Sequence, residues 1–391
     1  METTLVVPQG SFELRRFPRF ASDLLRAWDA ADDYLLHHLS ELQGSPGRDK
    51  GVTWILNDGF GALTVALAAS GRSVQMSCDS WLAQQATRAN LQENGLQDSA
   101  VHLLTSLESP AAAADVVLIK IPKSLALLED QLHRIRTQSP GALVFGAGMT
   151  KQIHTSTLQL FESILGSTTT SLARRKARLL FSEFDEALEP DPNPYPSQYQ
   201  LDGTDWTLTN HAGLFSREGL DVGTRQLLAH IPVADTAQQI VDLGCGNGVI
   251  GLMAAQRNPG AQLQFVDESF TAIASAQHNW QQIFSASRSA KFEAGDCVAT
   301  LAADSVDLVL CNPPFHQHSA MGDATAWRMF SGARRVLRPG GELLVVGNRH
   351  LAYHAKLKRL FGNCEVLDSD RKFVVLRSRQ GTYCSTTAVA R

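Results

Sequence analysis

At 391 residues the chain has room for two domains of ordinary size, and its 44% hydrophobic residues can fill their cores, which excludes a disordered chain. No run approaches the roughly 20 apolar residues of a bilayer-spanning helix, and the opening METTLVVPQGSFELRRFPRF lacks the apolar segment of a secretory leader, so a membrane or secreted protein is not expected. The six cysteines show no CxxC spacing, which disfavours disulfides and thiolate zinc and suits a reducing cytoplasm, while a net charge of −4 leaves room only for a local basic patch on nucleic acid.

In chain order, WILNDGFGALTVALA (54–68) predicts a strand, a tight turn and a helix, and VQMSCDS (74–80) a second strand. WLAQQATRANLQENG (81–95) predicts a helix, and DVVLIKIPK, GALVFGAGM and ARLLFSEF predict further strands. EALEPDPNPYPSQYQ then places Pro190, Pro192, Pro194 and Pro196 on alternate positions. Each proline fixes its own φ and keeps the preceding residue out of the helical region, so 189–200 is expected to be an extended linker between domains at 1–188 and 201–391.

The second half runs through the same rhythm. QQIVDLG is a strand, followed by a Gly-rich turn, a helix over VIGLMAAQRN, strand AQLQFVDES and helix FTAIASAQHNWQQIF. Strand VDLVLCN, helix ATAWRMFSGARRVL, strand GELLVVGN, helix AYHAKLKRLF and strands CEVLDS and KFVVLRSR complete it. Strands alternating with helices predict an α/β fold with two tandem doubly wound, Rossmann-like domains. The shared order of elements points to an internal duplication, although any two domains of this class share some of it.

Chemistry concentrates in the second half. VDLGCGNGVIG ends a strand on Asp242 and continues with Gly244, Gly246 and Gly248, where missing Cβ atoms let the chain turn and a ligand approach. Asp267 ends the next strand, where a carboxylate can hold ribose hydroxyls. This much suits any adenosine-containing cofactor, because Gly246, Gly248 and Gly251 also satisfy the dinucleotide pattern; a nicotinamide dehydrogenase stays open. The distinguishing stretch is Asn312-Pro313-Pro314-Phe315 after the fourth strand, at the carboxyl edge where open α/β sheets bind ligands. Hydride transfer has no use for it, whereas methylation of a flat amine does.

Asp-x-Gly-x-Gly-x-Gly, the acidic second-strand end and Asn-Pro-Pro-Phe together resemble class I S-adenosylmethionine-dependent methyltransferases. With HAGLFSREGLDVGTRQLL, NPPFHQH, and the stretches around ILND, VLIKIPK, IHTSTL and NRHL, nearly the whole chain is similar to the ribosomal RNA guanine-N2 methyltransferases, more to the large-subunit (23S) than the small-subunit (16S) branch. That resemblance implies a cytoplasmic enzyme with S-adenosylmethionine as cofactor, ribosomal RNA as partner, no metal and a monomeric state. Asp242, Gly244, Gly246 and Gly248 would line the methionine and ribose part, Asp267 would take both ribose hydroxyls through two free oxygens, and Asp296 would accept from the adenine amine or be a plain loop acid. Phe215 and Ser216, with Arg217, Asp221 and Gly223, would close over the methionine end, or Ser216 would cap a helix. The Asn312 amide oxygen and the Pro313 carbonyl would accept the amine hydrogens, Pro314 would stiffen the loop, and Phe315 would stack on the base. His316 and His318 follow without a third ligand and are expected to be polar loop residues.

Aligned on Asp115 and Asp307, the first half carries Lys120-Ile121-Pro122-Lys123 in place of the Asn-Pro-Pro-Phe stretch, and Ile55 in place of Asp242, while Asp79 stays at the second-strand end. It is therefore expected to keep the fold without the chemistry. Lys120, Lys123, Arg174, Arg175, Lys176 and Arg178, with Arg15, Arg16 and Arg19, could dock RNA phosphates; alternatively the 174–178 stretch is a strand with a solvated cationic face, or the half only supports the other. Two other functions stay open from the residues: methylation of a protein glutamine amide, and a non-enzymatic RNA-binding factor with a relic pocket.

Overall fold

The structure is a computed structural model that describes residues 2–19, 24–42, 51–214, 219–234, 238–284, 288–314 and 320–381. It divides into two units, Met1–Tyr195 and Pro196–Arg391.

The first unit opens with a hairpin of β1 (Thr4–Val7) and β2 (Gly10–Glu13), then α1 (Ala30–Leu42). There follow β3 (Val52–Leu56), α2 (Ala62–Ala69), β4 (Ser73–Cys78), α3 (Trp81–Glu93) and β5 (Val101–Thr105). The unit continues with β6 (Val116–Lys120), α4 (Leu125–Gln138), β7 (Leu143–Met149), α5 (Thr155–Ile164), β8 (Thr168–Thr170) and β9 (Ala177–Ser182). Its sheet has the order β5-β4-β3-β6-β7-β9-β8, parallel up to β7 and antiparallel at β9 and β8.

The second unit opens with another hairpin, β10 (Ser197–Gln200) and β11 (Thr207–Asn210), then α6 (Val222–Ala229). It continues with β12 (Gln239–Leu243), α7 (Val249–Arg257), β13 (Gln262–Asp267), α8 (Phe270–Phe284) and β14 (Ala290–Ala294). Then come β15 (Val306–Cys311), α9 (Ala320–Val336), β16 (Leu337–Asn348), α10 (Tyr353–Phe361), β17 (Glu365–Ser369) and β18 (Phe373–Arg379). The sheet order β14-β13-β12-β15-β16-β18-β17 repeats the first strand for strand, with the same antiparallel pair at one side.

Central strands are apolar on both faces because each sheet has a core on either side. Alternation divides the side chains between the two: Ile55 and Leu118 enter one core and Trp54, Leu56, Val117 and Ile119 the other. In the second unit Ile240, Leu308 and Leu310 face one core, and Val241, Leu243, Val309 and Cys311 face the other.

The repeat extends to polar links. The Asp115 carboxylate accepts the N–H of Val52 at 2.8 Å, and the Asp307 carboxylate accepts that of Gln239, also at 2.8 Å. On α3, Asn90 accepts from the N–H of Arg15 and donates to the carbonyls of Arg15 and Phe60. On α8, Asn279 makes the same three bonds, to the N–H and carbonyl of Thr209 and the carbonyl of Asn247. Each asparagine ties the end of an entry hairpin to the turn after the first parallel strand. Losing Asn279 would strand the N–H and carbonyl of Thr209 in a buried place, at about 1–3 kcal/mol each, whereas the partners of Asn90 are part-buried and would lose less.

The sequence reading omitted both hairpins. Residues Ser197–Gln200, read as linker, pair with β11. The proline stretch before them is extended but fastened to α4: Asn193 donates to Asp130 at 2.8 Å, Tyr195 to Glu129 at 2.9 Å, and Arg136 to the carbonyls of Asp185 and Leu188.

Candidate active site

The carboxyl ends of β14, β13, β12 and β15 lie side by side and carry the predicted residues. After β12 the chain turns through Gly244, Gly246 and Gly248 at φ 74°, 54° and 86°, left-handed values that cost most other residues about 1–2 kcal/mol. At Gly248 a Cβ would also stand 3.0 Å from that of Ala276 on α8. At Gly246 it would meet nothing within 4 Å, so this turn is open on the side where a ligand can approach. A Cβ on Gly244 would lie 3.0 Å from Met329 Cε and 3.9 Å from the Asn312 carbonyl, so the Gly turn and the Asn-Pro-Pro segment face each other.

Asp242 is completely buried beneath this turn. One of its oxygens accepts the Gly251 N–H at 2.8 Å; the other, Oδ1, has no partner among the described residues. Burial, with a smaller contribution from the Asp267 charge, pushes its pKa up to about 8 against the pull of the Gly251 bond.

Asp267 is half-buried, and its two oxygens already accept backbone N–H groups, from Gly246 and Ser269, both at 3.0 Å. The expected pair of free oxygens is thus corrected: each retains lone-pair capacity beside a bond that fixes its direction. Asp296 is ion-paired with Arg328 of α9, so it is not a plain loop acid. Sequence spacing could not reveal that partner.

Asn312 is half-buried. Its Nδ2 donates to Thr224 Oγ1 on α6 at 2.9 Å, while its Oδ1 is buried without a partner among the described residues. Thr224 was not anticipated; the signal was the Asp-x-Gly-Thr of LDVGTRQLL. The helix there starts at Val222 with Asp221 as its cap, accepting the Thr224 N–H at 3.0 Å; the Ser216 alternative falls outside the described residues. Pro313 is buried and Pro314 exposed. Phe215, Ser216, Arg217, Phe315, His316 and His318 lie outside the described residues.

Residues 2–186 match a family model described as the RLMG N-terminal domain, and residues 205–377 one described as the methyltransferase small domain. The ribosomal RNA large subunit methyltransferase G of Streptomyces avermitilis is 53% identical over 97% of this chain and 99% of that protein. The protein of the same description from Erwinia tasmaniensis is 50% identical over 93% of this chain and 96% of its own length. The chain belongs to the ribosomal RNA large subunit methyltransferase G family. A solved structure of T. thermophilus 16S rRNA N2 G1207 methyltransferase (RsmC), in complex with AdoMet and guanosine, covers 97% of each chain at a TM-score of 0.73 and 23% identity, and shares the fold.

Within this family fold the first unit has lost the site by filling it. Strand register places Ile55 where Asp242 stands, and Cys78, not Asp79, where Asp267 stands, which corrects the sequence alignment. Asn57, at φ 65°, occupies the place of Gly244, and its Nδ2 donates across the cleft to the Lys120 carbonyl and to Gln131, both at 2.9 Å. Asp58 takes over the cap: its carboxylate accepts the Thr64 N–H at 2.9 Å, the counterpart of the Gly251 N–H donated to Asp242.

Lys120 is corrected as an RNA contact. Its ammonium is bound by Asp29 at 2.8 Å and Asp32 at 2.6 Å, and these carboxylates raise its pKa despite burial. Arg174–Ala177 closes as a two-residue hairpin turn with Arg175 and Lys176 at φ 49° and 64°, so this stretch is a loop tip leading into β9 and not a continuous strand. The tip also has an acid nearby, since Asp33 pairs with Arg175 at 3.3 Å, while Arg174 stacks on Tyr34. Arg15 and Arg19 both pair with Glu93, and Arg16 lies over Phe60.

Among the described residues no cluster of three or more His, Cys, Asp or Glu side chains could hold a metal ion, and no helix is long and apolar enough to cross a membrane.

Proposed function

We propose that this chain transfers a methyl group from S-adenosylmethionine to the exocyclic N2 of a guanosine in 23S ribosomal RNA. The observation that carries this reading is the Asn312 side-chain amide, bonded through its nitrogen to Thr224 with its buried oxygen left without a donor among the described residues, on a segment whose Asn312 main-chain carbonyl faces the three-glycine turn. The open face at Gly246 and the fixed Asp267 carboxylate suit the methionine and ribose parts, and Asp296, gathered by Arg328, would lie at the adenine end. When bound, the cofactor supplies an activated methyl carbon, so no metal is required.

The chain's own residues do the rest. Guanine N2 is a weak nucleophile because its lone pair is delocalised into the ring. Asn312 Oδ1 and the Pro313 carbonyl accept its two hydrogens, favouring a pyramidal nitrogen with its lone pair directed at the methyl carbon. Phe315 would hold the base flat. The methylated nitrogen is cationic and acidic and gives up one proton to water, so catalysis is positioning and electrostatic preorganisation, and no buried general base is needed. The base must leave its stack to enter, so the target is a looped or opened guanosine.

The first unit would serve as the RNA dock. Lys123 and Lys151 are exposed at the carboxyl ends of β6 and β7, and Thr150 donates to the Lys176 carbonyl at 2.8 Å, which brings the Arg174–Arg178 tip to the same edge. Replacing Lys123, Arg174, Lys176 and Arg178 with Glu is expected to weaken RNA binding at least tenfold and to flatten its salt dependence by about 3 logarithmic units per decade, with cofactor affinity unchanged. Unchanged RNA affinity would leave this unit a supporting role only.

The deciding experiment is incubation with labelled S-adenosylmethionine and separate 23S and 16S ribosomal RNAs, followed by nucleoside mapping. Label in N2-methylguanosine of 23S RNA is expected. Label in 16S RNA, another nucleoside or a protein glutamine would overturn the assignment. The protein is expected to act as a monomer in this assay.

A further inference from the structure

Resting on the RNA-methylation reading, we propose that the second unit carries its own grip on the RNA backbone: the Arg371-Lys372 tip between β17 and β18, beside Asn312. Strand register puts this tip where the first unit has Arg175-Lys176, between β8 and β9. Asn348 pairs with Phe373 as Met149 pairs with Ala177. The Arg349 N–H donates to the Lys372 carbonyl at 2.9 Å, as the Thr150 N–H donates to that of Lys176 at 2.8 Å. Across the tip, the Asp370 N–H donates to the Phe373 carbonyl at 3.0 Å, and the Arg174 N–H to that of Ala177 at 2.9 Å. Both copies thus set arginine followed by lysine on one loop tip at the carboxyl edge of the sheet, although their site residues differ.

Neither backbone shape nor packing accounts for the match. Arg175 and Lys176 have left-handed φ, 49° and 64°, where Asn and Gly are favoured; neither Arg371 nor Lys372 does. The second tip is shaped instead by the Asp370 carboxylate, which accepts the N–H groups of Lys372 and Phe373, both at 2.6 Å, and the Gln226 amide at 2.7 Å. All four cationic side chains are exposed. Asp33 pairs with Arg175, but among the described residues no acid pairs with Arg371 or Lys372, and the Lys372 ammonium lies over the Phe373 ring. What the two tips share is a pair of adjacent, solvent-exposed cations. A line of phosphates suits them, because the arginine fork takes two oxygens of one group while lysine acts as a point charge on the next. The start of α6 joins the second tip to the proposed active site. Thr224 bonds Asn312 at 2.9 Å, Gln226 bonds Asp370, and a Cβ on Gly223 would lie 3.1 Å from the Phe373 ring. A strand gripped there is held next to the guanosine that leaves its stack, without its sequence being read.

Arg371→Gln combined with Lys372→Gln is expected to weaken 23S RNA binding by at least about fivefold at about 0.1 M salt. It should also flatten the salt dependence by about 1.5 logarithmic units per decade, the share of two phosphate contacts. The measurement is RNA binding by the full chain across a series of salt concentrations. S-adenosylmethionine affinity and thermal midpoint should stay near those of the wild type, since both side chains are exposed. The charge-preserving exchange, Arg371→Lys with Lys372→Arg, should keep the wild-type salt dependence. Wild-type affinity and slope in the glutamine pair would overturn the proposal. So would weaker binding with an unchanged slope, or an exchange variant as weak as the glutamine pair. Failure of the wild type itself to methylate 23S RNA would instead refute the reading beneath it.

Discussion

Asn312→Ala is expected to reduce methyl transfer by at least about a hundredfold while leaving S-adenosylmethionine affinity within about twofold. The magnitude follows from removing one preorganised polar contact made to the reacting group, a loss typically of 10²–10³ in kcat. Cofactor binding should persist because Asp242, Asp267 and the glycine turn are held by their own bonds to Gly251, Gly246 and Ser269. Stability should change little, since Oδ1 is already unpartnered and only the bond to Thr224 is lost. The measurements are single-turnover transfer and equilibrium binding on the same preparation. Comparable loss of both would place Asn312 in cofactor binding rather than in amine alignment.

Asp242→Asn is expected to have opposite effects on stability and binding. The folded wild type keeps a proton on this carboxyl up to about pH 8, whereas the unfolded chain releases it near pH 4. Between those values the unfolded state binds fewer protons, so each unit of rising pH removes about 1.4 kcal/mol of folding stability. An asparagine does not ionise and escapes that loss. The variant should resemble wild type near pH 4 and be more stable by several kcal/mol at pH 9, as read from urea unfolding. It should also bind S-adenosylmethionine at least tenfold more weakly by calorimetry, where the wild type is expected to show one site per chain. Equal pH dependence of unfolding in the two proteins would show that this carboxylate is ionised in its buried place.

What the sequence disclosed follows the range of each signal. Strand and helix order was readable because periodicity is local, and the α8 stretch FTAIASAQHNWQQIF was delimited to the residue. Gly244, Gly246 and Gly248 announced a tight turn, since few other residues adopt that backbone. The two hairpins escaped notice because four-residue strands carry almost no periodicity, and their anchors, Asn90 and Asn279, lie far along the chain. Thr224 beside Asn312 and Arg328 beside Asp296 were illegible for the same reason: the pairing is made by the sheet and not by spacing. Lys120 misled because a lysine in a strand gives no sign of the Asp29 and Asp32 that will enclose it.

The twofold repetition also makes the molecule its own reference experiment. Where both copies carry the same side chain, as at Asp115 and Asp307, or Asn90 and Asn279, it makes equivalent bonds in each and serves the architecture of both. Where they differ, as at Gly244 and Asn57 or at Asn312 and Lys120, the first copy closes with its own bonds the place that the second leaves to a guest. Mutational scans of the two halves should therefore be read together: damage shared by both copies reports folding, and loss of transfer without loss of stability, confined to the second, reports turnover.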